Sequence, residues 1–384
     1  MAVFSFRNYP YIPTLSAMDA ELRGYKELAP ADKKAILSVW TAGKLGQAQD
    51  VHQAAGKIAA AVGGVPFVLR LDERARQPGA KATKKTIEAH KKYNAFTAAM
   101  LDPTDGYANW RGFVSGYDDA IPCLPYPEDA VQYVAAAKSV IDNGSPLAFW
   151  VDMTGHAPNL VPLIAALKSV SSTDQCLVIV DFGKIVDTIG AGASFKEIRQ
   201  SLEQGIGGQK FGALTFVATG TSFDPPPSTG LWARKIRELE LFDACGGYDA
   251  TQYGDYGSVA RNVGGGRWVG RIDYAKPATW IMWRGKDPSN SADYVTGCKK
   301  IRDSGHMDKG FVTWGTDEIL RQAGSKVVLD GNGGPAHWIS VRVNIHVIRQ
   351  LRRAALEFSR FQIGDATPPE RPIKADPVLL KLDE

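Results

Sequence analysis

Cysteine is scarce in this chain: 4 in 384 residues, at positions 123, 176, 245 and 298, with no CxxC pair and no histidine at zinc spacing. That excludes a disulfide scaffold and a zinc ribbon or finger. Lone cysteines inside runs such as CLVIVD and IPCLPY read as small buried hydrophobes in a reducing cytoplasm. No apolar run reaches the roughly 18–20 residues of a membrane-spanning helix, so no membrane is expected. The opening MAVFSFRNYPYIPTL has no basic stretch followed by an apolar one, so no signal peptide is expected. Net charge is small as well: 45 basic residues against 41 acidic give +4. A balance this even gives no general attraction to nucleic acid. The glycines lack a three-residue period, and the six histidines form no HExxH or HxH, which excludes collagen-like chains and the common histidine metal motifs.

An apolar fraction of 44% and a charged fraction of 22% describe a folded globular chain, not a disordered one. Its length suits one large α/β barrel or two medium domains. Short apolar runs ending in a polar residue alternate with segments of helical period. The runs are 11–16, 35–40, 66–72, 121–126, 147–152, 176–181, 213–219 and 251–259. CLVIVD is apolar throughout, as expected of a strand covered on both faces. Between the runs, Val51, Ala54, Ala55, Ile58 and Val62 make one helical stripe. Leu160, Ile164 and Leu167 make a shorter one, and Trp232, Ile236 and Leu239 a third. Ser194 and Glu197 have the spacing of a capping box. Eight strands with crossover helices predict a TIM-type (β/α)8 barrel; a doubly wound sheet is the alternative.

Two segments stand outside the repeat. Residues 73–120 form an insertion after the third strand, and ERARQPGAKATKKTIEAHKKY at its start carries seven Lys or Arg against two Glu. Lys84, Lys85, Lys91 and Lys92 could track a nucleic-acid backbone there, with Tyr93 and Trp110 for stacking; a solvated helix face is the plainer reading. Residues 261–360 form a C-terminal extension with a β-hairpin (RWVGRIDY, ATWIMWRG), a helix near 291–303 and a long helix near 337–359, in which Trp338, Val341, Ile345 and Ile348 face inward. The barrel is thus expected over 1–260, with a flexible Pro-rich tail over 361–384.

In a barrel, chemistry gathers at the carboxyl ends of the strands. Asp72 and Arg70, Asp152, Asp181, Thr219 and Asp255 with Tyr256 fall there. Converging carboxylates could hold Mg²⁺ or divide into acid and base, while Arg70 or Arg284 clamps a phosphate or carboxylate. An aspartate after a strand is equally the cap of the next helix. His156, two turns of chain beyond Asp152, is a weaker acid–base candidate. IGAGAS (189–194) and DGNGGPAHW (330–338) lack GxxxxGK[ST], and VGGGRW (263–268) reads as a hairpin turn.

The ordered set YIPTLSAMDAELRGYKEL, VIVDFG, YGDYGSV, RIDYAKPATWIMWRG, TWGTDEI and HWISVRVNIHVIRQL resembles the bacterial and phage beta protein family over most of the chain. The resemblance implies a TIM barrel in phage or mobile-element settings, some beside defence genes, with no settled activity. Asp72, Asp181, Asp255, Tyr256, Arg284 and His346 match the family. Where the family tends to carry Lys at the end of the first strand this chain has Ser16, and where it tends to carry Glu after the second it has Trp40-Thr41. Ile345-His346 stands for its paired histidines. Two functions remain open. One is a hydrolase or lyase on a phosphate-bearing (nucleotide or nucleic-acid) substrate, with Asp72, Asp181, Asp255 and Tyr256 catalytic and Arg70, Asp152, Thr219, Arg284 and His346 binding. The other is a non-catalytic module that captures a phage component, nucleic acid or partner protein.

Overall fold

The computed structural model describes residues 4–43, 50–77, 79, 82–125, 129–155, 157–258, 269–286, 291–331, 333–363 and 379–382. Its centre is a curled parallel sheet of eight strands: β1 (Thr14–Ser16), β2 (Ser38–Ala42), β3 (Phe67–Leu71), β4 (Ala120–Leu124), β5 (Leu147–Asp152), β6 (Cys176–Lys184), β7 (Thr215–Thr221) and, after a strand β8 that lies elsewhere, β9 (Gln252–Tyr253). Each pairs in parallel with the next, in the order β1-β2-β3-β4-β5-β6-β7-β9. The outer members also meet. Tyr11 forms parallel bridges to both Ile36 and Tyr253, the Ile12 amide donates to the Tyr253 carbonyl at 2.9 Å, and the Thr14 amide donates to the Asp255 carbonyl at 2.7 Å. Pro13, with no N–H to give, separates those bridges from β1 but still offers its carbonyl to the Val39 amide at 2.8 Å.

Side chains alternate across these strands, and the two faces form two cores. The concave face holds Ile12, Val39, Val68, Cys123, Ala148, Ile179 and Val217, closed at the amino end by Phe6, against which Phe4 and Tyr9 pack. The convex face carries the much larger core beneath the helices. There α1 (Asp19–Lys26), α2 (Pro30–Lys34), α3 (Val51–Val62), α4 (Lys84–Leu101), α5 (Thr104–Ser115), α6 (Ala130–Ile141), α7 (Val161–Ser169), α8 (Thr188–Ile206), α9 (Gly208–Ala213) and α10 (Glu238–Ala244) follow their strands. The stripe read in α3 is fully buried. Asp50 starts that helix by accepting from the Gln53 amide, and Gly63, in the left-handed region at φ 75°, ends it. The four cysteines are free and buried.

Two local expectations are corrected. Ser194 and Glu197 lie inside α8, which begins at Thr188 because Asp187 accepts from the Ile189 amide; IGAGAS is therefore helix, not a loop before one. Trp232 lies in β8 (Gly230–Lys235), not in a helix. Six residues after a Pro-rich turn are too few for a stable helix, and cross-strand pairing takes over. The observed hairpin turns at 276–278, whereas VGGGRW lies outside the described residues.

β8 belongs to a second, antiparallel sheet with β10 (Arg271–Ala275), β11 (Thr279–Arg284) and β12 (Leu379–Lys381), ordered β10-β11-β8-β12. The tail, expected to be flexible, thus places its last described residues on a sheet edge. α11 (Ala292–Asp303) and α12 (Trp314–Gly324) lead to α13 (Pro335–Gln362). Although far from the first strands in sequence, α13 packs on α1. A Cβ at Gly24 would stand 2.5 Å from the Ser340 carbonyl, and Asn344 donates to the Gly24 carbonyl at 3.1 Å. The long helix therefore covers the seam between β1 and β9, as a crossover helix would.

Candidate functional site

At the carboxyl end, the row above the inner core is polar. Register aligns Asp152 with Asp181 and Asp181 with Thr219 across β5, β6 and β7. Neighbours in register on parallel strands face the same way, so all three turn to the concave side. Thr219 meets Thr14 across the seam, hydroxyl to hydroxyl at 3.3 Å. Tyr256 reaches in from beyond β9 and donates its phenol to Asp181, whose Oδ1 also accepts the Gly183 amide at 3.0 Å. Arg70 lies 4.0 Å over the ring of Trp150, a cation–π contact that holds the guanidinium flat. Its Nε is buried without a hydrogen-bond partner among the described residues, and an Nη stands 3.7 Å from Glu73.

The other carboxylates of this rim are engaged by their own loops. Asp152 accepts from the Thr154 amide at 2.8 Å and hydroxyl at 2.6 Å, the local turn that an aspartate after a strand commonly makes. Asp72 is gripped by Arg74 through two oxygens, at 2.8 and 3.0 Å, and by Arg76 at 2.5 Å. Burial pushes its carboxyl up, but the hydrogen bond and charge of Arg74 and the charge of Arg76 outweigh it and hold the group below the usual range. By strand alternation from Val68 and Ile179 of the inner core, Asp72 and Asp181 turn to the same concave side.

Asp255 is not in that mouth. Successive residues of a strand point to opposite faces, and Asp255 turns outward beneath α13 while Tyr256 turns in. It accepts from Tyr11 at 2.7 Å, Tyr253 at 3.0 Å and the Gly257 amide at 2.8 Å, and its Oδ2 lies 2.9 Å from His346 Nε2. Only 1% of it is exposed. Burial pushes its carboxyl up; the charge and hydrogen bond of His346, with the Tyr11 and Gly257 donors, more than reverse this and leave it lowered. Trp280 stacks on the His346 ring at 4.8 Å, and Arg353 covers Tyr253 at 4.2 Å. Asp255 and His346, expected to act on substrate, are corrected to a buried clasp that ties α13 to the seam.

The remaining candidates are dispersed. Arg284 lies in the second sheet, bonded to the Pro226 carbonyl. Lys84, Lys85, Lys91 and Lys92 are exposed on the first half of α4. Tyr93 and Trp110 cannot stack on a nucleic acid beside them: both are buried, donating to the Asp72 carbonyl and the Cys123 carbonyl at 2.9 Å each. His156 lies outside the described residues. Among the described residues no three His, Cys, Asp or Glu side chains stand together as metal ligands, which corrects the idea of Asp72, Asp181 and Asp255 sharing Mg²⁺. No helix among them is long and apolar enough to cross a membrane. Sequence reasoning missed Arg74 and Arg76, absorbed into the basic count of the insertion, and Trp150, hidden in an apolar strand.

A model of the protein family described as Beta protein matches residues 11–352. Protein beta of Enterobacteria phage P4 is 29% identical over 357 residues, spanning 90% of this chain and 94% of that protein. Among solved structures, fructose-bisphosphate aldolase of Campylobacter jejuni aligns over 92% of this chain and 90% of its own at 11% identity, with a TM-score of 0.36, a likeness too loose to carry any argument.

Proposed function

The chain belongs to the beta protein family, and on that premise we propose that it is a closed (β/α)8 barrel whose carboxyl-end mouth takes a phosphate-bearing ligand, a nucleotide or nucleic acid, and cleaves it by hydrolysis or elimination. Closure is supported by the Tyr11–Tyr253 bridge and by an inner core built from strands all around the sheet. The observation that carries the chemistry is the Asp181–Tyr256 hydrogen bond in the same rim as the flat, partly unsatisfied Arg70. Arg70 would pair with phosphate oxygens. Asp181 and Tyr256, already hydrogen-bonded, would pass a proton to or from the reacting oxygen. Asp72 keeps Arg74 and Arg76 folded over the rim. A phage or mobile-element role, including defence, agrees with the phage relative, and a reducing cytoplasm agrees with four free, buried thiols.

A second reading, capture without turnover of a nucleic acid, phage component or partner protein, is favoured by one observation. Asp72 and Asp152, which would otherwise supply a second carboxylate, are occupied by their own loops. A panel of nucleotides and short oligonucleotides, scored for thermal stabilisation and for product, separates the readings. Stabilisation lost in Arg70→Gln, with turnover lowered about 10²–10⁴-fold in Asp181→Asn and Tyr256→Phe, supports the enzyme. Stabilisation without product supports the module. No response of the unaltered protein to any phosphate compound ends both.

A further inference from the structure

Away from the mouth residues, the second sheet and α13 enclose a cavity of about 160 Å³ lined by Arg271, Arg284, Arg342, Asp273, Tyr294 and Trp338, among others. Three guanidiniums and the Asp273 carboxylate line it, and the buried Glu21 acts electrostatically on Arg342 from nearby. Asp273 spends a single oxygen on two of them: Oδ2 accepts from Arg271 Nε at 2.9 Å and from Arg342 Nη1 at 3.0 Å. Arg342 is the unusual member. Its side chain is only 5% exposed, its Nε has no hydrogen-bond partner among the described residues, and its guanidinium lies 4.4 Å over Phe223. Burial, together with the neighbouring Arg271 charge, lowers its pKa to about 10. The nearby Asp293 turns an oxygen to the Lys286 amide at 3.1 Å. The first turn of α13 adds to the field: Pro335, Trp338 and Ile339 line the cavity, and the helix starts at Gly334 with no side-chain cap. An uncapped helix start offers amides and the positive end of the dipole to an anion.

We propose that this arginine-lined cavity is a binding site for an oxyanion, a phosphate group either free or as the head of a small monoester. Buried charge of one sign is costly unless paired. An oxyanion would meet the unpartnered Nε of Arg342, with the Arg284 guanidinium also lining the cavity. Asp273 would act as an internal competitor that positions Arg271 and Arg342 while limiting affinity. The site stands independently of the mouth chemistry, because it shares none of the mouth's residues.

The test is calorimetric titration of the full chain with inorganic phosphate and with phenyl phosphate, at fixed ionic strength in chloride. Arg284→Gln, on a partly exposed side chain, should weaken binding about tenfold or more, the scale of one charge-assisted hydrogen bond. Asp273→Asn should tighten it severalfold by removing the competing charge. Arg70→Gln, which removes the mouth's proposed phosphate partner, should leave this binding unchanged, so failure of the mouth reading and failure of this one are told apart. Tighter phenyl phosphate assigns the site to esters, and tighter inorganic phosphate to the free ion. No heat with either ligand, or binding indifferent to both Arg284→Gln and Asp273→Asn, overturns the proposal.

Discussion

Replacing Asp255 by Asn tests whether the buried clasp joins the long helix to the sheet. The change keeps the shape but removes the charge, and it turns one acceptor oxygen into an NH₂ group. In one rotamer that group faces Tyr253 and His346; in the other it faces Tyr11 and the Gly257 amide, which can only donate. The second rotamer loses the Gly257 bond, and both lose the carboxylate charge that His346 meets, inside a site that is 1% exposed. Breaking a buried, hydrogen-bonded charge pair costs about 3–5 kcal/mol. At about 2 °C per kcal/mol, the low end for large domains, the midpoint should fall by about 6–10 °C. The sign with pH is fixed too. Asp255 titrates below its ordinary value in the folded chain. Its contribution is therefore complete above the unfolded value near pH 4 and disappears as pH falls through the lowered folded value. Differential scanning calorimetry of both proteins between about pH 2 and about pH 7, a range that spans that transition, should show the gap narrowing only at the acid end. A difference of less than about 2 °C at neutral pH, roughly 1 kcal/mol, would refute the clasp.

Three further outcomes follow from the same geometry. Gly254→Ala would place a Cβ 2.5 Å from Val217 and 3.2 Å from the Ile12 carbonyl, so denaturant melts should show a loss of about 1–3 kcal/mol from overpacking at the seam. Asp72→Asn should relax Arg74 and Arg76 and lower stability above about pH 4, where the ionised carboxylate is at work, with little difference below about pH 3; urea midpoints across that range decide it. Charge reversal at Lys84, Lys85, Lys91 and Lys92 should abolish low-salt oligonucleotide binding in an anisotropy titration if α4 contacts nucleic acid, and unchanged binding would remove that surface.

The strands were legible because burial on both faces leaves uninterrupted apolar runs, and CLVIVD falls where β6 runs. So were Asp181 and Tyr256, which the fold unites. The outward turn of Asp255 was also latent in the sequence, since neighbours in a strand cannot share a face; only proximity along the chain made it look like a partner of Tyr256. β8 could not be read locally, because its partners are β11, some fifty residues on, and β12 at the end of the chain. The arginine cavity was hidden for a similar reason: Arg271 and Arg284 face Arg342 only after the hairpin packs against a helix that starts at Pro335.

The aromatic stopper has a consequence for traffic. Phe6 is fully enclosed beneath the concave core, with Phe4 and Tyr9 against it, so aromatic rings stop the amino end. In the proposed barrel, solutes would therefore enter and leave by the opposite end, beside Arg70, Asp72 and Tyr256, and a product would have to depart past the side chains that admitted its precursor.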